Sequence, residues 1–312
     1  MDGYLSELSP KDKPWDAHRF DADKVRDCYR VAGYESYAAR INQCSKALAF
    51  ALAANEVGEL FFRLESAMFC RCRHCPICQW RRSLMWLAKF FKVLPAIQQD
   101  YPNYRFIFLT LTVKNCQLSE LRDTLAWMHK AWILLTKRKA FPAVGWVKSV
   151  EVTKPKEPLT AHPHFHCILM VPSSYFSGAG KYLKHEKWRE LWKSCLRVDY
   201  DPIVHISVVK PKVGQSAFML EAALRETLKY SVKPSDLVND PEWLAGLTQQ
   251  LHKTRAIALG GVFKKYLSDD EPEDLIHADD LSESERVSDD LLLFTWRESI
   301  GRYVHKKQDN KS

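Results

Sequence analysis

The chain has 312 residues, 46% of them hydrophobic, and a formal net charge of +8, enough to bury a sizeable core and outside the composition of a disordered protein. No apolar run approaches the ~18 residues of a membrane span, and the opening MDGYLSELSPKDKPWD lacks the charged-then-apolar pattern of a secretory leader, so a cytoplasmic protein is expected, with its nine cysteines reduced or metal-bound. The charge is unevenly spread: residues 268–290 carry a net −10, leaving +18 on the remainder, an excess suited to a polyanion such as DNA because each neutralised phosphate releases condensed counterions.

Residues 1–43 are polar with scattered aromatics and read as an N-terminal arm. A cysteine-rich element follows over 44–98. Cys75-Pro-Ile-Cys78 has the spacing of a thiolate knuckle, and Cys70 lies close enough to join it. A tetrahedral structural Zn²⁺ needs a fourth ligand, for which Cys44, Cys72 and His74 compete. Cys44 is favoured, because a distant segment closes the site without cramming four ligands into nine residues. The helix after the knuckle carries Arg81, Arg82, Lys89 and Lys92 beyond Arg71 and Arg73, with no acidic residue between Cys70 and Lys92. Arg71, Arg73, Arg81 and Arg82 are therefore expected to contact DNA phosphates.

A core of alternating strands and helices is expected over 99–240. RFIFLTLTV, residues 105–113, is a strand whose Phe108, Thr110 and Thr112 share one face. Leu118, Leu121, Leu125, Met128, Trp132 and Leu135 mark an amphipathic helix. GWVKSVEVT, residues 145–153, is a second strand and contains Glu151. AHPHFHCILMV, residues 161–171, is a third, with His162, His164 and His166 on one face by the two-residue period. Two histidines one strand repeat apart can converge on one ion, but a flat strand does not bring all three. Glu151, on a strand joined by a loop of about ten residues and hence an antiparallel neighbour, competes with His162 for the third position. A helix around Trp188 to Cys195 and a strand over 203–209 complete the order, which reads as an α+β fold with an antiparallel sheet and flanking helices.

The segment AFMLEAALRETLKYSVK, residues 217–233, reads as a helix that stops before Pro234. Glu226 and Tyr230 are four apart on one face, and Lys229 and Lys233 form a second such pair. A tyrosine hydroxyl attacking a phosphodiester gives a phosphotyrosine link in two reversible steps, and nearby cations favour the ionised nucleophile. A metal at the histidines would polarise the scissile phosphate, and Glu226 could activate a water.

His164-Phe165-His166 resembles the His-hydrophobic-His signature of HUH endonucleases. With FLTLTV at 108–113, HPHFHCILM at 162–170 and ETLKYSVK at 226–233, the chain resembles the replication initiators of rolling-circle plasmids from about Cys44 to about Val238. The resemblance implies a palm-like antiparallel sheet and an endonuclease that nicks one strand of a plasmid origin and rejoins it. It implies His164 and His166 as ligands of Mn²⁺ or Mg²⁺, Tyr230 as nucleophile and Glu226 as the water-activating carboxylate, while the choice between Glu151 and His162 stays open. Origin DNA and the host helicase, polymerase and single-strand-binding protein are the implied partners. An HUH-type transposase or relaxase, and a non-catalytic zinc-stabilised DNA-binding regulator, are the alternatives. Residues 241–312 are expected to form a helical extension with an acidic linker, whose removal from 268 onward should leave nicking intact.

Overall fold

The architecture was analysed in a computed structural model, which describes residues 3–177, 182–209, 223–228, 232–268, 274–278 and 285–306. The chain divides into two compact units, one of Met1–Ala88, Pro234–Ala245 and Pro272–Ser312, the other of Lys89–Lys233 and Gly246–Glu271. Among the described residues no helix is long and apolar enough to cross a membrane.

In the first unit, helices α1 (Leu5–Leu8), α2 (Pro14–Val31) and α3 (Glu35–Gln43) accompany strands β1 (Ala47–Ala54) and β2 (Leu60–Ala67). The hairpin between these strands turns on Asn55, whose side-chain oxygen accepts the N–H groups of Val57 and Glu59, and on Gly58 at φ 82°, a value that glycine adopts without strain. Two strands from the far end of the chain, β9 (Glu285–Arg297) and β10 (Arg302–His305), complete an antiparallel sheet in the order β10-β9-β1-β2. The terminal segments are therefore structural parts of one unit. Helices make up most of residues 3–43, and residues 285–306, at the described end of the expected helical extension, are mainly strand.

Polar contacts tie these segments together. Trp296 donates its indole N–H to Asp23 at 2.7 Å, Arg26 pairs with Glu298 at 2.8 Å, and the Tyr303 hydroxyl donates to the Ser45 carbonyl at 2.7 Å. Deletion of residues 268–312 would remove two of four strands and take Trp296 from buried Asp23 and Glu298 from buried Arg26. Such a truncation is expected to lose the cooperative melting of this unit and to become protease-sensitive within residues 1–88. A wild-type melt and digestion pattern would contradict that.

The chain leaves the first unit within α4 (Pro76–Asp100). The second unit contains β3 (Tyr104–Thr112), the short β4 (Cys116–Gln117), α5 (Leu121–Thr136), β5 (Gly145–Thr153), β6 (Thr160–Pro172), α6 (Ser174–Ser177), α7 (His185–Leu196), β7 (Val204–Val209) and β8 (Ile257–Gly261). The strands form an antiparallel sheet in the order β7-β3-β6-β5-β8, with β4 on the start of β6. The expected α+β architecture is present, as is the expected order strand, helix, strand, strand, helix, strand from β3 to β7, to which β4 and β8 are additions. Helix α8 spans residues 223–228 of this unit; α9 (Pro234–Leu237) belongs to the first unit, and α10 (Pro241–Gln250) begins in the first unit and ends in the second.

Strand β6 is central, flanked by β3 and β5, and nearly every residue from Thr160 to Val171 is buried. Its two faces have opposite characters. Phe165 meets His129 of α5 and Trp192 of α7, with ring centroids 5.0 and 6.4 Å away, so this face holds the apolar core. The other face carries His164 and His166.

The apolar side also buries Lys148 of β5, whose ammonium lies 2.9 Å from His129 Nδ1 and 3.9 Å from the Phe165 ring centroid. Burial lowers Lys148 from 10.5 to about 8, against the opposing pull of the Cys167 thiol. Between those values the unfolded chain holds a proton that the folded chain has shed, so this group adds stability as pH rises through the window. Lys148→Met is expected to lack that rise, so the difference between wild-type and variant denaturation free energies should change by about 3 kcal/mol at most from pH 8 to 10. A parallel pair of profiles would refute it.

Candidate metal centres

The histidine strand and the Glu151 strand are direct neighbours, and their register sets Glu151 opposite His164 and Ser149 opposite His166. Cross-strand partners project to the same face, so the carboxylate reaches both imidazoles. One Glu151 oxygen, Oε2, lies 2.9 Å from His164 Nε2 and 2.5 Å from His166 Nε2. All three residues are under 10% exposed. Burial alone would raise the Glu151 carboxyl, but hydrogen bonds and charge from His164 and His166 outweigh it and hold the group well below the usual carboxylate range.

The chemistry of this donor set fits a cation. His164 Nδ1 lies 3.3 Å from the His162 carbonyl, which can only accept, so a proton on Nδ1 leaves Nε2 available as the ligand atom facing the Glu151 oxygen. Two imidazole nitrogens and a carboxylate oxygen converging in a buried pocket are a donor set that a positive ion would bridge. His162 does not join them: the group able to ligate one ion is Glu151, His164 and His166, and the His162 ring stands 5.5 Å from that of His164.

On β3, the Thr110 hydroxyl is 3.2 Å from His166 Nδ1, while Thr112 donates to the Ile203 carbonyl at 2.9 Å. Of the expected catalytic residues from the tyrosine segment, Glu226 is exposed on helix 223–228 and Lys233 is exposed just before α9. Tyr230 and Lys229 lie outside the described residues.

In the first unit, Cys44, Cys70, Cys75 and Cys78 form a second buried group. Cys44 caps α3, Cys70 follows β2, and Cys75 and Cys78 lie at the start of α4. Their sulfurs are 3.6 to 3.7 Å apart where paired, far beyond a disulfide bond, and none of the nine cysteines is in a disulfide. With Zn–S bonds of about 2.3 Å, tetrahedral sulfurs sit about 3.8 Å apart, so the cluster fits zinc. Backbone N–H groups of Cys70 and Cys72 point at the sulfurs of Cys44 and Cys70, as thiolates require. Burial pushes the Cys75 thiol well above its ordinary range, so a thiolate there depends on a bound cation.

Cys72 and His74, the competitors for the fourth position, lie outside the group. Arg19 is a contributor that sequence reading missed. It is buried on α2, salt-bridged to Asp23, and donates to the carbonyls of Ile41 and Cys44 at 2.9 and 2.6 Å, fixing the end of α3 that presents Cys44.

The four arginines expected at phosphates separate. Arg71 is exposed, and Arg73 and Arg82 are half-buried. Arg81 is 1% exposed, donates to the carbonyls of Leu275 and Ile276, and lies over the rings of Trp15 and Trp80, which withdraws it from phosphate contact. Helical spacing held the signal, since Arg81 falls four residues from both Ile77 and Met85 on the buried face.

An antiparallel sheet carrying a buried histidine-and-carboxylate site, in a chain whose other unit holds a four-cysteine cluster, defines a class of protein with two candidate metal sites. Comparison with known sequences supplies the family. A family model described as "Replication protein" matches residues 61–304, and the chain belongs to that family. It is 34% identical over 308 residues to a "Protein rep" of Streptococcus pneumoniae serotype 2 (strain D39 / NCTC 7466), covering 96% of this chain and 93% of that one. It is 32% identical over 310 residues to a "Protein rep" of Lentilactobacillus hilgardii, covering 96% and 95%. A "Replication protein" of Staphylococcus aureus is 32% identical over 222 residues, covering 66% of this chain and 93% of that one. No solved structure matches significantly. The resemblance to plasmid rolling-circle replication initiators, drawn from the histidine, strand and tyrosine motifs, is thereby borne out.

Proposed function

We propose that the chain initiates plasmid rolling-circle replication by nicking one strand at the origin and later rejoining it, in the cytoplasm. The observation that carries this reading is the convergence of Glu151, His164 and His166 on one point of a central sheet, in a member of a replication family. Relatives named for replication favour an initiator over a transposase or relaxase.

In this reading Glu151, His164 and His166 hold Mn²⁺ or Mg²⁺, as suits a mixed imidazole and carboxylate site. The ion supplies Lewis-acid polarisation of the scissile phosphate. The Tyr230 phenolate attacks phosphorus, a phosphorus–tyrosine oxygen bond forms, and the 3′ oxygen leaves and takes up a proton, giving a 3′ hydroxyl for the host polymerase. Attack by a 3′ hydroxyl on the phosphotyrosine reverses the step and rejoins a strand. Lys229 and Lys233 favour the ionised nucleophile, and Glu226 takes a proton from the water that hydrolyses the final link. Arg71, Arg73 and Arg82 contact the DNA backbone, Zn²⁺ occupies the four-cysteine cluster, and host helicase and single-strand-binding protein act on the opened origin.

The test uses single-stranded oligonucleotides tiled across the DNA flanking the gene for this chain. One of them is expected to be cut at a single position with Mn²⁺ or Mg²⁺ present, with cutting lost in chelator and restored by the ion. A purified protein that binds this DNA yet cuts none of it under any divalent ion would support the non-catalytic regulator instead.

A further inference from the structure

The two histidines at the sheet centre are oriented differently. His164 is held from behind by a main-chain carbonyl of its own strand, that of His162, at 3.3 Å. His166 has no such carbonyl partner among its described contacts. Behind its ring, at Nδ1, stands the hydroxyl of Thr110 at 3.2 Å, contributed by β3, and the Phe108 ring stacks beside it with centroids 5.6 Å apart. The register makes this contact direct, since Thr110 is the cross-strand partner of His166. Thr112, the other hydroxyl on this face, is engaged by the Ile203 carbonyl, so the two threonines have separate tasks.

A histidine ligand binds through one nitrogen, and the group at the other nitrogen sets its tautomer and ring angle. A carbonyl can only accept, which presets His164. A hydroxyl both donates and accepts. Thr110 can therefore donate to Nδ1 while the His166 Nε2 proton faces Glu151, and accept from Nδ1–H when Nε2 is needed as a ligand. Valine fills the same space in a strand but offers neither bond.

We infer that Thr110 is a positioning residue for the catalytic metal centre, acting through His166 to orient its ring and pair its distal nitrogen in both tautomers. This deepens the proposed nicking function and rests on the reading that Glu151, His164 and His166 hold a divalent ion. It predicts a defect in ion affinity that follows the hydroxyl rather than the volume of the side chain.

The experiment is a Mn²⁺ titration of the full chain, with the thiolate cluster left loaded and the second site stripped, following free Mn²⁺ by electron paramagnetic resonance. Thr110→Val is expected to weaken Mn²⁺ binding by about 10-fold or more, and Thr110→Ser to restore it to within about threefold of wild type. Thermal melting checks that each variant is folded. Should the valine variant not fold, Thr110→Ala against Thr110→Ser carries the same comparison. Mn²⁺ binding that is lost in His166→Ala yet unchanged in Thr110→Val overturns the role of Thr110 alone. Wild-type protein that binds no Mn²⁺, or binds it equally well in His166→Ala, overturns the metal-site reading on which the role depends.

Discussion

Tyr230→Phe is expected to abolish strand cleavage while leaving the protein folded and bound to DNA. The substitution removes a single oxygen, the atom proposed to form the bond to phosphorus, and no other group can substitute for that bond. Loss of a covalent nucleophile typically costs several orders of magnitude, so cleavage should fall by roughly 10³-fold or more and covalent protein–DNA adduct should vanish. Affinity for the uncleaved oligonucleotide should change little, because a phenolic oxygen contributes little beside the charge of the backbone contacts. Glu226→Gln is the informative contrast. It should still form the adduct but accumulate it, since only the step that activates water is impaired. Wild-type cleavage by the phenylalanine variant would remove Tyr230 from the mechanism.

The second large effect concerns the thiolate cluster. Cys75→Ser is expected to reduce zinc content from one equivalent per chain towards zero and to unfold the surrounding unit. Apparent zinc-binding free energies of about 10–16 kcal/mol in small domains exceed the net stability of most of them, so folding there depends on the ion. Here the cluster joins Cys44 at the end of α3, Cys70 just after β2, and Cys75 and Cys78 at the start of α4. Cys72→Ser is the control. Its sulfur lies outside the group, 3.8 Å from the Cys70 carbonyl, so zinc content should be unchanged. Elemental analysis and thermal melting of both variants decide the matter, and full zinc in Cys75→Ser would contradict the assignment.

Much of the central sheet was legible because its signals are local. The two-residue period of His162, His164 and His166 specified a face, and the short loop back to Gly145–Thr153 specified an antiparallel neighbour carrying Glu151. What the pattern alone left open was the third ligand. Register decides where Glu151 falls, and the observed pairing of Glu151 with His164 brings the carboxylate to the imidazoles. The thiolate cluster was legible for a related reason: knuckle spacing brings three sulfurs together, and tetrahedral geometry asks for a fourth from elsewhere.

The first unit was less legible. ALAFALAA, which forms β1, has the alanine and leucine of a helix and no β-branched residue. It is a strand because it pairs on one side with β2 and on the other with β9, whose sequence lies more than two hundred residues away and begins in the acidic stretch. Composition marked that stretch as a linker, whereas Glu285–Asp290 already belong to the strand, largely on its exposed side. Long-range pairing overrides local propensity in such places. Arg81 illustrates the converse: its charge suggested a surface role, while its position between Ile77 and Met85 on the helix placed it inside, where carbonyls and tryptophans satisfy it.

The central event of the proposed function is the joining of one tyrosine to DNA at a metal-dependent site. The direct measurement is peptide mapping by mass spectrometry of protein trapped on the cleaved oligonucleotide, with Mn²⁺ or Mg²⁺ supplied or chelated. The expected product is a nucleotide linked through its 5′ phosphate to the peptide containing Tyr230, formed with the ion and absent without it. An adduct on another residue, or one formed equally well in chelator, would contradict the proposal.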